Sequence, residues 1–209
     1  MFQWFLRGGP VMWPILVTSI VSLAVVIERF QFVIREARKR RPDVVEKIFA
    51  CAETGRFEQA VKEGQGCEDF LAKILVYGLR HREKSFSNAL VRAANRELKR
   101  FNQGLSALDT IITLAPLLGL LGTVTGMIHA FGLLGQRALG APVAITGGIA
   151  QALIATAWGL GIAIMALIPF NYFNALVEQT RHEIEDASTR LELLLIKSEK
   201  TYENYLSGV

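Results

Sequence analysis

Residues 107–134 read ALDTIITLAPLLGLLGTVTGMIHAFGLL. This stretch carries a single formal charge, Asp109, and is longer than the ~20 apolar residues that cross a hydrocarbon core of about 30 Å. It contains one polar word, Gly-Thr-Val-Thr-Gly at 122–126. Polar side chains in hydrocarbon are costly unless they face protein or water, so the word marks a helix–helix seam or an ion path. Downstream, Val143–Val177 is a second such block with its own polar word, Gln-Ala-Leu-Ile-Ala-Thr at 151–156. Upstream, Pro10–Ile27 is a third. From Phe101 to Val177 the only formal charges are Asp109 and Arg137, with one histidine, His129.

The whole chain has 209 residues, is 51% hydrophobic and has a mean hydropathy of +0.32. Apolar residues concentrated in blocks of this length predict a membrane protein of three spans. The first block has one upstream arginine, Arg7, and no small-x-small cleavage site, which predicts a retained anchor rather than a removed leader. The net charge of +4 is concentrated where Arg35, Arg38, Lys39, Arg40 and Arg41 follow the first span, the mark of a cytoplasmic flank. No aromatic residues interleave that run, which argues against nucleic acid as a partner. Cys51 and Cys67 then fall on the cytoplasmic side as reduced thiols. Nothing near them supplies further ligands at zinc spacing, so neither a metal site nor a cofactor is expected.

The expected fold is all-α: a polytopic membrane protein whose second and third spans are long and extend into a cytoplasmic helical bundle. A short interfacial helix is expected at 1–9, where Trp4 suits a headgroup belt. Span one follows at 10–34, a cytoplasmic helical region at 35–104, span two at 105–134, an extracytoplasmic turn at 135–142, span three at 143–177 and a carboxyl-terminal cytoplasmic helix at 178–209. Within the polar region, Val44, Val45, Ile48, Phe49 and Ala52 recur at helical spacing until Thr54-Gly55. Phe57, Ala60 and Val61 begin another helix, ended by Gly64-Gln65-Gly66. Phe70, Ile74 and Leu75 continue the pattern, and 87–99 is helical again. About 60 residues leave little room for an independent core, so these helices are expected to pack against extensions of the long spans. The amino terminus is placed outside and the carboxyl terminus inside.

Spans two and three carry small residues every three or four positions. On span two these are Ala115, Gly119, Gly122, Gly126 and Ala130. On span three they are Gly148, Ala152, Ala155, Gly159, Ala163 and Ala166. Such stripes let helix backbones approach closely in lipid. Thr123 lies beside the Gly122/Gly126 seam, and Thr156 lies one turn past Ala152. A lone membrane threonine usually bonds back to its own helix. Two on neighbouring seams, with Gln151 nearby, point to a path or a partner-facing surface. Gln151 is roughly 140° around an ideal helix from Thr156, so it faces either a neighbouring subunit or the interior of the helix pair.

The segment Ala115-Pro116-Leu117-Leu118-Gly119-Leu120-Leu121-Gly122-Thr123-Val124-Thr125-Gly126 resembles the second-span motif of the MotA/TolQ/ExbB family. Gly148-Ile149-Ala150-Gln151-Ala152-Leu153-Ile154-Ala155-Thr156-Ala157-Trp158-Gly159-Leu160 resembles its third-span motif, and Glu28-Arg29 after span one also fits. The three-span layout resembles the ExbB/TolQ branch. The resemblance implies a homopentamer in the bacterial inner membrane around single-span partners of the ExbD/TolR type. It implies that Thr123 and Thr156 face the partner's membrane aspartate, and that H⁺ or Na⁺ flow drives work on the envelope, with a TonB/TolA-like protein as one client. The resemblance breaks at Gln151, where ExbB and TolQ proteins typically have glutamate, and at Met165, where a proline is usual; Pro169 lies one turn later.

Two other classes stand against the ion-channel motor. One is a non-conducting scaffold that assembles and anchors partners. The other is an intramembrane enzyme, which would need two apposed aspartates or a Ser–His pair that the central spans lack. No phosphate loop, zinc motif or nucleophile elbow occurs elsewhere, so no catalytic residue is expected.

Overall fold

The structure, a computed structural model, describes residues 8–134 and 142–207. The expected interfacial helix at 1–9 and turn at 135–142 therefore fall, but for Gly8, Gly9 and Pro142, outside the described residues. Among those described there are seven helices and no strand: α1 Met12–Lys39, α2 Pro42–Glu53, α3 Phe57–Gly64, α4 Phe70–Arg80, α5 Arg82–Asn102, α6 Leu105–Leu134 and α7 Pro142–Ser207. Three helical stretches are long and apolar enough to cross a membrane: Met12–Lys39, Ser85–Gly132 and Thr146–Ser198. The chain divides into two compact units. An apolar unit holds residues up to Phe30 together with Gly104–Asn174, and a polar unit holds Gln31–Gln103 and the residues from Ala175 onward.

In the apolar unit the buried positions are mostly small. Ala115, Ala130, Ala152, Ala155 and Ala166 are at most 2% exposed, whereas Leu117, Leu120, Ile128, Leu153, Ile164 and Ile168 point outward. Large buried side chains include Met12 and Ile15 at the start of α1, which pack with Ile111, Ala115 and Ile162, and Leu108 of α6. Outward apolar side chains suit a lipid solvent, in which burial gains little and close packing decides. Pro116 and Pro169 lie inside α6 and α7 without ending either helix.

The polar unit is built the other way round. Ile48, Phe49, Phe70, Ile74, Leu75 and Leu79 are buried, and most charged residues face outward, Glu36, Asp69 and Glu97 excepted. α2 packs on α3 and α4, and α4 packs on α5. Pro42 starts α2 at a position where a missing amide proton costs little. The helix ends in a Schellman motif: Gly55 takes φ +71, its N–H reaches the Ala52 carbonyl at 3.0 Å, and the Arg56 N–H reaches Cys51 at 2.9 Å. Asp69, 1% exposed, caps α4 by accepting from the Leu71 N–H at 2.8 Å, and also accepts the Arg41 N–H at 2.6 Å. The carboxyl-terminal part of α7 closes this unit. Glu183 meets Arg40 at 2.8 Å, and Arg190 pairs with Glu46 while lying over the Phe49 ring at 4.1 Å. Cys51 is buried and Cys67 half-buried, both as free thiols.

Candidate functional site

The seam between α6 and α7 is an antiparallel zipper of small residues. A Cβ added at Gly159 would stand 2.5 Å from the Ala115 carbonyl oxygen, and one at Gly119 would stand 2.9 Å from the Thr156 Cα. One at Gly122 would meet the Ala155 methyl at 2.5 Å. One at Gly126 would meet the Ala152 methyl at 2.9 Å, and one at Gly148 the Ala130 methyl at 2.6 Å. Positions therefore fall along α7 as they rise along α6. Contact is backbone to backbone, which leaves no room for water inside the pair.

Thr156 crosses this seam. Its hydroxyl donates to the Gly119 carbonyl at 2.9 Å in a part-buried setting. Thr123, one turn further along α6, donates instead to Leu120 of its own helix at 2.7 Å. Each hydroxyl has one proton and two lone pairs. With both protons committed to carbonyls, the oxygens have only lone pairs left to offer. They can accept from a protonated carboxyl or a hydronium, or help ligate a bare cation. They cannot donate to a carboxylate without giving up a carbonyl.

Gln151 does not join the threonines. It is half-buried at the entry to α1, where Gly9 takes φ +77 and a Cβ there would fall 2.0 Å from the Gln151 Nε2. The amide thus packs on the backbone that leads into span one. Its offset of roughly 140° from Thr156 carries it there.

Other polar groups of this unit are less legible in sequence. Thr110, Thr113 and Thr125 all bond back to carbonyls of α6 and are exposed. Asp109, Thr110 and Thr113 together put a short polar line on the outer surface of the helix, and their spacing of one, three and four is the signal that would have found it. Arg29 is 3% exposed, pairs with Glu28 and lies against the turn at Gly104, whose φ is +81. A cleft of roughly 590 Å³ lies between α1 and α7, lined by Ser19, Ser22, Trp158 and Met165 among others.

A family model described as the MotA/TolQ/ExbB proton channel family matches residues 65–186. The chain is 36% identical over 200 residues to a Synechocystis protein named as ExbB-like biopolymer transport protein 1, covering 91% of this chain and 77% of that relative. It is 32% identical over 198 residues to ExbB-like protein 3 of the same organism, covering 90% of this chain and 92% of the relative. It is 43% identical over 77 residues to the biopolymer transport protein ExbB of Neisseria gonorrhoeae, which covers 37% of this chain and 35% of that protein.

Proposed function

Because this chain belongs to the MotA/TolQ/ExbB proton channel family, we propose that it is the channel-forming subunit of an ion-driven membrane motor. It assembles as a homopentamer around a single-span partner of the ExbD/TolR type and couples H⁺ or Na⁺ flow to work on the envelope, with a TonB/TolA-like protein as one client. The observation that carries this reading is the Thr156 hydroxyl set across the seam beside Gly119, with Thr123 one turn away.

Neither seam helix supplies an ionisable group beside these threonines. A proton path through hydrocarbon needs such a carrier, so the carboxyl comes from a second chain. The closeness of the α6–α7 pair excludes a path between those two helices. Ions pass along its outer surface, against the partner. A protonated partner aspartate donates to a threonine oxygen, and the deprotonated form loses that contact; this difference is what ties occupancy to movement. The basic run Arg35–Arg41 supports a topology with the polar unit in the cytoplasm and the amino terminus in the periplasm of an inner membrane.

The same lack of a carboxylate also favours a non-conducting scaffold. Flux decides. Proteoliposomes holding this chain and its partner are given a pH gradient and then a Na⁺ gradient. Thr123→Ser and Thr156→Ser retain flux, and the Thr123→Val/Thr156→Val double variant loses it. Full flux in the double valine variant overturns the path, and no flux in the unaltered complex leaves the scaffold.

A further inference from the structure

The polar unit carries a basic groove that the motor reading does not use. It lies between α4 and α5 with a volume of roughly 540 Å³, and its charged lining is Lys73, Arg92, Arg96, Glu97 and Arg100. Arg92, Arg96 and Arg100 follow one another at four-residue intervals, a stripe about 12 Å long on one helix face. Like charges at this spacing destabilise a helix unless something answers them.

Arg100 is answered. It is held by Glu97 and lies 3.5 Å from Glu36. Glu97 is buried and is the only carboxylate lining the groove. Arg92 and Arg96 are exposed and make no hydrogen bond, ion pair or ring contact among the described residues. Lys73, exposed on the opposite wall, feels the Glu68 carboxylate, so of the three cations that converge on this concave surface Arg92 and Arg96 are the two left without a counter-charge among the described residues.

We propose that this groove binds the phosphate-bearing headgroup of an anionic phospholipid. Two guanidiniums at adjacent turns present paired N–H forks that match phosphate oxygens, a fit an isolated ammonium does not give. Ile74 and Ala93 form an apolar floor, and Tyr77 adds an aromatic wall. A free phosphate has no use for that floor; the glycerol and ester region of a lipid does. Position favours the same source. Arg100 precedes Leu105, the first residue of α6, by five residues, so covalent reach alone keeps it within about 18 Å of the start of an apolar span. Basic side chains next to a span draw anionic lipid.

Native mass spectrometry of the full chain in detergent tests this without any partner or flux, so its outcome is independent of the motor reading. Phosphatidylglycerol and phosphatidylcholine are offered in equal amounts. The unaltered chain retains phosphatidylglycerol preferentially, and Arg92→Gln/Arg96→Gln lowers that retention by roughly tenfold to thirtyfold. Arg92→Lys/Arg96→Lys keeps the charge but loses the forks and falls between the unaltered chain and the glutamine variant, and a Lys47→Gln/Lys62→Gln control, which removes two exposed cations elsewhere, keeps the whole preference. If the double glutamine variant loses its helical circular dichroism, Lys73→Gln on the other wall stands in, with a fall of about fivefold. Equal retention of the two lipids by the unaltered chain overturns the proposal, as does unchanged preference in the groove variants. Displacement of the lipid by equimolar inorganic pyrophosphate assigns the groove to a soluble phosphate, and displacement by equimolar hexaglutamate assigns it to an acidic protein segment. Either result also overturns the lipid.

Discussion

The two units of this chain are inverse solutions to packing helices. In the apolar unit glycine and alanine close the seam between α6 and α7, and many large side chains of those helices face outward. In the polar unit isoleucine, leucine and phenylalanine fill the core and most charges face outward. The difference follows from the solvent. Lipid tails are as apolar as leucine, so burying leucine in a bilayer gains little and helix association rests on close contact and on a few hydrogen bonds. In water, each large apolar side chain removed from solvent contributes about 1.5–3 kcal/mol, and bulk is what a core needs. Polar groups differ in parallel. The membrane seam is tied by a hydroxyl on a backbone carbonyl, and the polar unit by buried carboxylates, caps and ion pairs.

The sharpest way to break this contrast is to add a single methyl group to the seam. Gly159→Ala places a Cβ against the Ala115 carbonyl, a backbone atom that cannot swing aside. It should cost about 3 kcal/mol, and Gly159→Leu should prevent assembly altogether. Gly161, two residues on, has nothing within 4 Å of its added Cβ, so Gly161→Ala should be neutral or stabilise by about 0.5–1 kcal/mol through helix propensity. Thermal unfolding of the purified full chain in detergent, with native mass spectrometry for oligomer size, reads both. Equal tolerance at 159 and 161 would mean that the seam is not backbone-limited.

The next effect belongs to the polar unit. Asp69→Ala removes the acceptor of both the Leu71 and Arg41 amides. A lost cap costs about 1 kcal/mol and a second unpaired amide about 1–3 more, so the melting temperature should fall well below that of the unaltered chain. Asp69→Asn keeps one acceptor oxygen and should lose about half as much. A near-silent Asp69→Ala would show that water replaces the carboxylate and that the corner between α1 and α2 is held elsewhere.

How much of this was legible in sequence follows the same division. Three apolar spans and an all-helical fold can be read directly, because apolar blocks of that length have few other uses. The glycine and alanine stripes can be read too, since a spacing of three and four puts residues on one helix face whatever their partner is. The partner's register cannot. It takes the structure to pair Gly159 with Ala115 and Thr156 with Gly119, because a spacing on one helix face does not say which turn of the other helix it meets. The destination of Gln151 was likewise hidden: an angle excludes the threonine face but does not name Gly9. The extension of span three into the polar region can be read as well: α7 runs from Pro142 to Ser207 through Pro169 and the charge onset at Glu178, neither of which forces a helix to end. Arg92 and Arg96 read as a solvated face until α4 supplies the opposite wall.

Thr156 and Thr123 give a smaller and more discriminating test. Thr156→Val removes a hydroxyl that ties two helices and should cost about 0.6 kcal/mol, at most about 1.7, the range measured for such bonds in membranes. Thr123→Val removes one that only returns to its own helix and should leave stability almost unchanged. Unfolding of each variant, set beside its ion flux, separates structure from path. If Thr123→Val abolishes flux with no loss of stability, its hydroxyl serves the ion. If it destabilises as much as Thr156→Val, the seam assignment is wrong.

The smallest effect sharpens the comparison from the water side. Lys39 lies 3.0 Å from Glu68, and its hydrogen bond and charge hold the Glu68 carboxyl below the usual glutamate range. A carboxyl lowered in the folded state stabilises the fold at pH values above its unfolded value, about 4.3. That contribution is lost as pH falls through the folded value. The pair is exposed, so salt screens it and its contribution stays small. Lys39→Gln should therefore lower the melting temperature slightly at pH 7 in dilute buffer, and the difference should vanish both once pH has fallen through the lowered folded value and at about 1 M salt. The Thr156→Val penalty should be the same in dilute buffer and in salt, since neither partner in that bond carries a charge and ions do not enter the seam. A salt-dependent Thr156→Val penalty would mean that water and ions reach the α6–α7 contact, and the dry, backbone-to-backbone account of that unit would have to be given up.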